Sequence, residues 1–470
     1  MILRLPWRVI TQFRRSNKFE AIRWCSSCEQ PPARQRRPAT SKPSQPQKDL
    51  YLDHRRIGQE QDLYMINELT PGSIFFLPHG TRIYNRLLEF MRAQLRGFGF
   101  DEVVSPIIYR KTLWQISGHW DKYKDDMYKV SDRSDGTDVG EDDDYGLKPM
   151  NCPGHCLIFD STLRSYNDLP IRFADFSPLH RNEAKGALTG LTRVRRFHQD
   201  DGHIFCTPDQ VEQEIKNSLQ LVDNVYSAFR VPSYRLLLST RPEKFIGALE
   251  EWDKAENDLR NVLEQSEVPW EINDGDGAFY GPKIDILIKD SNGKEHQAAT
   301  IQLDFQLPRR FNLKYKGADG KDDHRPVLIH RAVFGSVERF LAIVIEQHQG
   351  RWPLWLNPRQ LMIIPISHAQ SEFAHAQQEI ISGNASDKKK LFSFMAEPLF
   401  VDVDERPETL GHRMREAIKK GYNYVAVVGP KESSKNVLAI RNLSDQSNKT
   451  TEYSAAEVRD LIIGKMNTFE

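Results

Sequence analysis

Apolar side chains recur at Ile83, Leu87, Leu88, Met91 and Leu95, the spacing of one helical face, and the stripe stops at Gly97. This predicts an amphipathic helix laid on a core. The next residues, 100–109 (Phe-Asp-Glu-Val-Val-Ser-Pro-Ile-Ile-Tyr), turn β-branched and are interrupted by Pro106. A proline cannot donate to a strand ladder, so this run belongs at a sheet edge, a bulge or a subunit contact. Residues 125–145 are rich in Asp, Glu, Ser and Gly, include Asp142, Asp143 and Asp144 in succession, and carry no period. They predict a solvated loop. Its like charges repel and hydrate, so they are set aside as metal ligands. Between 171 and 288 strand-like runs alternate with helical ones, with helices expected over 208–229 and 241–263. Residues 351–358 (Arg-Trp-Pro-Leu-Trp-Leu-Asn-Pro) read as a short stiff connector, after which apolar strand runs occur at 361–364, 399–403 and 424–428. A helix is expected over 407–420, with Leu410, Met414 and Ile418 on one face, Lys419 and Lys420 in the last turn and Gly421 at the stop. The tail is thus a small α/β domain of about 110 residues.

Composition adds one asymmetry. The 470 residues are 28% charged and 39% hydrophobic, ordinary for a soluble chain of two or three domains, and no segment approaches a membrane span. The formal net charge is zero, yet residues 1–48 hold 11 Lys/Arg against 2 acids, leaving 54 basic and 63 acidic residues in the body. Arg4, Arg8, Arg14, Arg15, Lys18 and Arg23 lie among Leu, Ile, Trp, Phe and Ser, and the extension then becomes Pro-, Gln- and Ser-rich up to Lys48. Such an acid-poor, Arg-rich segment reads as a mitochondrial transit peptide, with a disordered basic arm that touches RNA as the alternative. Five unevenly placed cysteines suggest no disulfide framework. Cys25 and Cys28 form a coincidental Cys-x-x-Cys in the extension, and Cys156 and Cys206 read as buried apolar thiols.

Candidate chemistry is scattered along the body. Cys152 lies in Lys-Pro-Met-Asn-Cys-Pro-Gly-His (148–155), His203 in Asp-Gly-His-Ile-Phe-Cys (201–206) and His330 in Val-Leu-Ile-His-Arg-Ala (327–332). Three protein ligands would leave zinc one open position, the arrangement that binds a substrate rather than stapling a fold. The intervals are far longer than those of a zinc finger, so spacing leaves open whether the three converge, and His155, His180 and His198 are nearby competitors. Arg181, Arg193, Arg195 and Arg196 are close in sequence. Guanidinium forks match phosphates and carboxylates, although a solvated basic hairpin has the same composition.

Four stretches, 148–155, 179–206, 275–285 (Gly-Asp-Gly-Ala-Phe-Tyr-Gly-Pro-Lys-Ile-Asp) and 327–340, give the chain from about residue 49 onward a family resemblance. It resembles the class II aminoacyl-tRNA synthetases and, within them, the threonyl-tRNA synthetases, in particular the short fungal mitochondrial form. Residues 102–109 with Pro106 resemble motif 1 at the dimer interface, residues 181–197 resemble motif 2, and residues 335–339 resemble motif 3. The resemblance implies an α+β catalytic domain over 49–355, an antiparallel sheet flanked by helices, and a C-terminal α/β anticodon-binding domain over 356–470. It further implies ATP-dependent attachment of threonine to mitochondrial tRNA(Thr) through a threonyl-adenylate, by a homodimer in the mitochondrial matrix with no membrane attachment.

The same resemblance assigns roles. Arg181 bridges the threonine carboxylate and the ATP α-phosphate, Glu183 and Arg193 hold the adenine and γ-phosphate end, Ser336 belongs to the ATP site, and Arg339 packs on adenine. The nucleophile is already an anion, so the task is to bring negative groups together with arginines and Mg²⁺ rather than to supply a base. Zinc is placed on Cys152, His203 and His330, taking the amino and hydroxyl groups of threonine. An apolar pocket separates threonine from near-isosteric valine by only about 10²-fold, whereas a site built for a hydroxyl does far better. Asp201 is placed to accept the hydroxyl's hydrogen bond. Gln199, Tyr280, Lys283 and Gln302 resemble further pocket residues, with structural roles in the sheet open for the last three. Serine also carries an amine and a hydroxyl; with no N-terminal editing domain expected, seryl-tRNA formation should be measurable. Residues 402–406 (Asp-Val-Asp-Glu-Arg), Arg413, Lys419 and Lys420 are candidate RNA contacts, or merely a solvated helix face. Two other functions remain: a class II enzyme for proline or serine, against which the ligand triad and Asp201 argue, and a silent tRNA-binding paralogue, against which Arg181, Glu183 and Arg339 argue together.

Overall fold

The structure, a computed structural model, describes residues 53–131, 144–231, 233–289, 293, 295–383, 398–445 and 449–469. The basic extension with Cys25 and Cys28, and Asp142 and Asp143, lie outside these residues. The described residues belong to one compact unit, and none of their helices is long and apolar enough to cross a membrane.

The 83–95 stripe becomes the helix Pro78–Gly97, which buries Ile83, Leu87, Leu88, Phe90, Met91 and Leu95. Each such side chain removed from water contributes about 1.5–3 kcal/mol. The run after it splits at Pro106. Asp101–Glu102 pairs in parallel with Ile171–Asp175 at the edge of the main sheet, and Ile108–Arg110 joins a separate sheet with Tyr145–Leu147. The range 125–145, expected as a loop, includes strand residues among those described. Lys129–Val130 and Tyr145–Leu147 pair antiparallel, because β-forming Tyr128, Val130, Tyr145 and Leu147 flank the acidic run. Residues 208–229 are helical as anticipated, a 3-10 turn at Pro208–Gln210 leading into Val211–Ala228. The helix expected over 241–263 instead spans Leu249–Glu264. Pro242 and Gly247, the latter at φ +108°, keep the preceding residues out of it.

The main sheet has eight strands, in spatial order Trp270–Asn273, Tyr234–Ser239, Lys283–Lys289, Glu295–Asp304, Val327–Ala332, Asp201–Cys206, Ile171–Asp175 and Asp101–Glu102. The first and last join in parallel, and everything between is antiparallel. Side chains alternate between faces. Ile204, Cys206, Ile284, Ile286, Ile301, Leu303 and Ile329 bury one face in a core with Pro78–Gly97, Val211–Ala228, Leu249–Glu264 and Val337–His348. Cys156 is buried on the other face and Cys206 in this core, as their apolar surroundings suggested. The class is α+β.

The connector at 351–358 is packed rather than free. Trp352 donates from Nε1 to Gln61 Oε1 at 2.8 Å, and the Trp355 ring lies against Phe90 and Phe229. Beyond it a five-stranded sheet runs Val401–Val403, Leu361–Pro365, Tyr424–Val428, Leu438–Asn442, Thr450–Tyr453, the first three parallel and the last two added antiparallel. The helix expected over 407–420 spans Leu410–Lys419, with Thr409 as its cap. Its buried residues are Arg413 and Ala417, while Ile418 is 51% exposed. Arg413 Nη1 donates to the carbonyls of Pro365 (3.0 Å) and Asp404 (2.8 Å), satisfying strand ends under the helix. That buried bracket removes Arg413 from the candidate RNA contacts. Asp404 is also buried, and its carboxylate clamps Arg406 at 2.7 Å. Lys419 and Lys420 remain exposed.

Candidate active site

Register places the chemistry. Lys283 stands opposite Gln302, Gln302 opposite His330, and His330 opposite His203, so four residues from four strands form one row on the face away from the main core. Asp285 and Asp304 lie two residues after, and Asp201 two residues before, the row members on their strands and therefore share that face. Helix Cys152–Asp160 lies over it, its Phe159 and Cys156 packed with Phe173, Phe205 and Leu328. This brings Cys152, the first residue of the helix, to the row.

Cys152, His203 and His330 each offer a ligand atom, all within 4.8 Å of one another. His203 Nε2 and His330 Nδ1 face each other at 2.9 Å. The outer nitrogens are also engaged, His330 Nε2 with Asp304 Oδ2 and His203 Nδ1 with His155 Nδ1, both at 2.9 Å. Burial, reinforced by the neighbouring His155 and His330, pushes His203 well below the usual histidine range, so its ring is neutral with a lone pair to offer. Burial likewise raises the Cys152 thiol, with Asp201 adding to it. A buried thiol of that kind ionises when a divalent cation takes it. One thiolate and two imidazoles, oriented by outer partners, suit zinc and leave a position open. The competitors do not join this group: His155 lies behind His203, and His198 is held by Glu338 at 3.0 Å.

Asp201 sits beside the triad, its Oδ1 4.0 Å from His203 Nε2 and its Oδ2 accepting from Asn151 Nδ2 at 3.0 Å. Burial raises its pKa. The Tyr280 ring lies 5.8 Å from that of His330, and its hydroxyl donates to Gln302 Oε1 at 3.3 Å. Lys283 shares the row but spends its charge on Asp285, at 2.6 Å. Gln199 pairs with Ser336 by a backbone bridge and lines the adjoining cleft. His119, not singled out by its sequence, is buried with Nδ1 2.8 Å from Ser117 Oγ. Burial brings its pKa down to about 4, with Asp304 raising and His330 lowering it. The sequence assigns no role to Asp304, Asn151 or Asp175, and offers His155 only as a competing ligand. Asp304 had a usable signal, two residues beyond Gln302 on one strand. Asp175 had none until pairing set it opposite Asp201.

Next to the row opens a cleft of about 230 Å³ that includes Arg181, Glu183, Arg193, Gln199, Ser336 and Arg339 in its walls. Leu179–His180 and Arg196–Phe197 pair antiparallel at its edge, so the arginine-rich segment is a hairpin. Arg181 lies 4.9 Å over the Phe197 ring and donates from Nε to Pro149 O at 3.3 Å. Arg193 pairs with Glu183 at 2.7 Å. Arg339 is anchored by Nε on Thr192 O at 3.2 Å. Burial, then the charges of Arg181 and Arg193, lower its pKa, the mark of cations gathered for an anion. Arg195 is structural, its backbone N–H and side chain tied to Gly72 O (2.6 Å) and Glu183 O (2.8 Å). Ser336 caps helix Val337–His348, accepting from Arg339 N–H at 3.3 Å. Gly335, at φ +64°, has no room for a Cβ, which would stand 2.4 Å from Ala298 O. Behind the hairpin, His54 takes the Leu191 N–H on Nε2 (3.2 Å) and bonds Glu346 through Nδ1 (2.7 Å).

An antiparallel sheet with an arginine-lined cleft on one face and a hairpin at its rim defines a class II aminoacyl-tRNA synthetase core. Residues 128–348 match the family described as tRNA synthetase class II core domain (G, H, P, S and T), and residues 360–464 match the anticodon binding domain. The chain is 49% identical over 407 residues to the probable mitochondrial threonine–tRNA ligase of Schizosaccharomyces pombe, covering 85% of this chain and 86% of that one. It is 53% identical over 390 residues to the mitochondrial threonine–tRNA ligase of Saccharomyces cerevisiae, covering 80% and 83%. A solved structure titled as the RNA-binding domain of Cryptosporidium parvum threonyl-tRNA synthetase superposes with a TM-score of 0.80 at 40% identity, covering 89% of this chain and 98% of that one. The chain belongs to the threonyl-tRNA synthetases, the threonine–tRNA ligases of class II.

Proposed function

We propose that this ligase charges mitochondrial tRNA(Thr) in the matrix, through a threonyl-adenylate, with zinc on Cys152, His203 and His330. The observation that carries the reading is the convergence of those three ligand atoms beside Asp201 and at the end of the arginine cleft. Bound zinc would supply a Lewis-acid position for the amine and hydroxyl of threonine. Asp201, held by Asn151, accepts the hydroxyl's hydrogen bond. Gln199, Tyr280 and Gln302 close the amino-acid side, with Lys283 at the far end of the row. Arg181 then lies between the threonine carboxylate and the α-phosphate of ATP, and Arg193, Glu183, Ser336 and Arg339 border the nucleotide, which arrives with Mg²⁺. A carboxylate oxygen forms a bond to the α-phosphorus, the bond from that phosphorus to the bridging oxygen breaks, and pyrophosphate leaves with the electron pair. The residues neutralise and align; none needs to move a proton in this step.

Residues 49–355 act as the catalytic domain, 356–470 as the anticodon-binding domain, and 1–48 as the transit peptide, in keeping with the mitochondrial names of the two fungal relatives. The active form is a homodimer. Val104 (83% exposed) and Ile107 and Ile108 beside Pro106 present apolar surface for a second copy. The test is amino-acid-dependent ATP–pyrophosphate exchange with threonine, serine, proline and valine, with and without a zinc chelator. Exchange predominantly with threonine and lost on chelation bears the reading out. Exchange that prefers proline or serine, or is indifferent to chelation, defeats it.

A further inference from the structure

We infer that His155, backed by Asp175, is a positioning residue that fixes the metal-binding tautomer of His203. The inference rests on the zinc reading above. A neutral imidazole that binds a metal through one nitrogen carries its hydrogen on the other. His203 turns Nε2 toward His330 and Cys152, and its Nδ1 meets His155 Nδ1 at 2.9 Å. Two such nitrogens share one hydrogen. With a metal on His203 Nε2, that hydrogen belongs to His203 Nδ1, and His155 Nδ1 must accept it. His155 then keeps its own hydrogen on Nε2, a buried nitrogen without a hydrogen-bond partner that faces Asp175 Oδ2 at 3.6 Å, just beyond hydrogen-bond length.

Every member of this chain is shut away from water. His155 and Asp175 are 0% exposed and His203 is 1% exposed, so solvent cannot substitute for a lost partner. Asp175 is an unusual carboxylate to bury. Ser105 donates to it from N (3.1 Å) and Oγ (2.5 Å), Ser177 donates from N (2.7 Å) and from its hydroxyl, and the fully buried Lys148 ammonium stands 3.6 Å away. An ionised Asp175 favours a hydrogen on the facing His155 Nε2, and thereby leaves His155 Nδ1 free to accept. The opposite tautomers would put a hydrogen on His203 Nε2, where it blocks the metal. On the other flank Asp304 fixes His330 directly, at 2.9 Å. The two ligand histidines are therefore each tied to a carboxylate, one directly and one through an intervening imidazole. Partners of this kind typically govern metal affinity 10–100-fold.

The experiment measures zinc affinity of the full-length protein by competition with a chromogenic chelator, and the absorption of the cobalt(II)-loaded form. The parent protein should take up one equivalent of zinc; failure to do so overturns the metal reading itself. Given that uptake, His155→Leu should weaken zinc binding about 10–100-fold and alter the cobalt spectrum. His155→Gln, whose amide can accept from His203 and donate to Asp175, should recover most of the affinity. Asp175→Asn should fall between them. Parental affinity and spectrum in His155→Leu, or equal losses in His155→Leu and His155→Gln, overturn the inference. If His155→Leu does not fold, His155→Gln and Asp175→Asn carry the test: parental zinc affinity in Asp175→Asn overturns it.

Discussion

Removing Arg331 should destabilise the protein through the face of the sheet that does no chemistry. Arg331 follows His330 and so points the other way, into the core, where it is 1% exposed. Its Nη1 meets Asp200 Oδ2 at 3.1 Å, and its guanidinium lies 4.7 Å from the centre of the Phe100 ring. Asp200 in turn accepts from the backbone N–H groups of Val333 (2.8 Å) and Phe334 (2.9 Å), fixing the turn that leads to Ser336. Burial pushes the Asp200 pKa up to about 6, although Arg331 and the two N–H groups pull it down. Arg331→Met would leave that carboxylate buried without its cation, a change that costs about 3–5 kcal/mol. Unfolding entropy of about 2.1 cal/mol/K per residue over roughly 400 residues converts this to an apparent Tm lowered by about 4–6 °C. The double variant Arg331→Met, Asp200→Asn removes both charges and keeps an acceptor for one of the two N–H groups, so it should be more stable than the two single losses added together. Differential scanning fluorimetry of the parent, both single variants and the double variant measures the coupling. A single variant as stable as the parent, or a double variant whose loss equals the sum of the singles, would refute the reasoning.

Arg181→Ala should lower threonine-dependent pyrophosphate exchange by several orders of magnitude while the Tm holds, since Arg181 has one long bond to Pro149 O and the reacting anions lose their central cation; near-normal exchange would refute its role. His54→Ala should raise the KM for ATP several-fold and leave that for threonine unchanged, because the Leu191 N–H and Glu346 lose their shared partner behind the hairpin; equal changes in both constants would show general damage instead. Burial holds His119 and His348 near pKa 4. A folded-state pKa below the unfolded value means stability present above pH 6.5 and lost as pH falls toward 4. Each histidine then costs at most about 1.4 kcal/mol per pH unit in that window, and a Tm that is flat from pH 7 to 5 would contradict the assignment. Seryl-tRNA should form measurably when serine replaces threonine in charging assays, at a kcat/KM about 10–200-fold lower; undetectable seryl-tRNA would mean that the site rejects serine by some further device.

The sequence made local periodicity and motif chemistry legible, and left everything that depends on pairing dark. Ile83 through Leu95 could be read as a helix because its buried stripe is written at constant spacing. The start of the Leu410–Lys419 helix could not, and of its expected face Leu410 and Met414 pack on the core whereas Ile418 is exposed. Arg413 reads as surface by type, yet it goes inside because two strand-end carbonyls await a donor there. In the site, Cys152, His203 and His330 were candidates from the start, but only register showed why they meet, with His203 directly opposite His330 and a helix start laid above them. Asp175 and Asp304 illustrate the complementary blindness. A lone aspartate in a strand carries no mark of its partner until the strand's neighbours are known.

The division of labour between the two faces also bounds specificity. On the proposed reading, a metal held by Cys152, His203 and His330 would test for an amine and a hydroxyl, which separates threonine from valine by unpaired polar groups rather than by shape. It gains nothing from the methyl that separates threonine from serine. That methyl must be read by contact with the walls, and transfer of one CH₂-sized group from water contributes about 0.8 kcal/mol, roughly fourfold. Tight packing can raise this toward about 3 kcal/mol. The walls available are the ring of Tyr280, 5.8 Å from His330, and polar side chains such as Gln302 and Asn151, already engaged with their own partners. Rejection of valine should therefore collapse when the metal is removed, whereas the modest preference over serine should respond to Tyr280 and its neighbours.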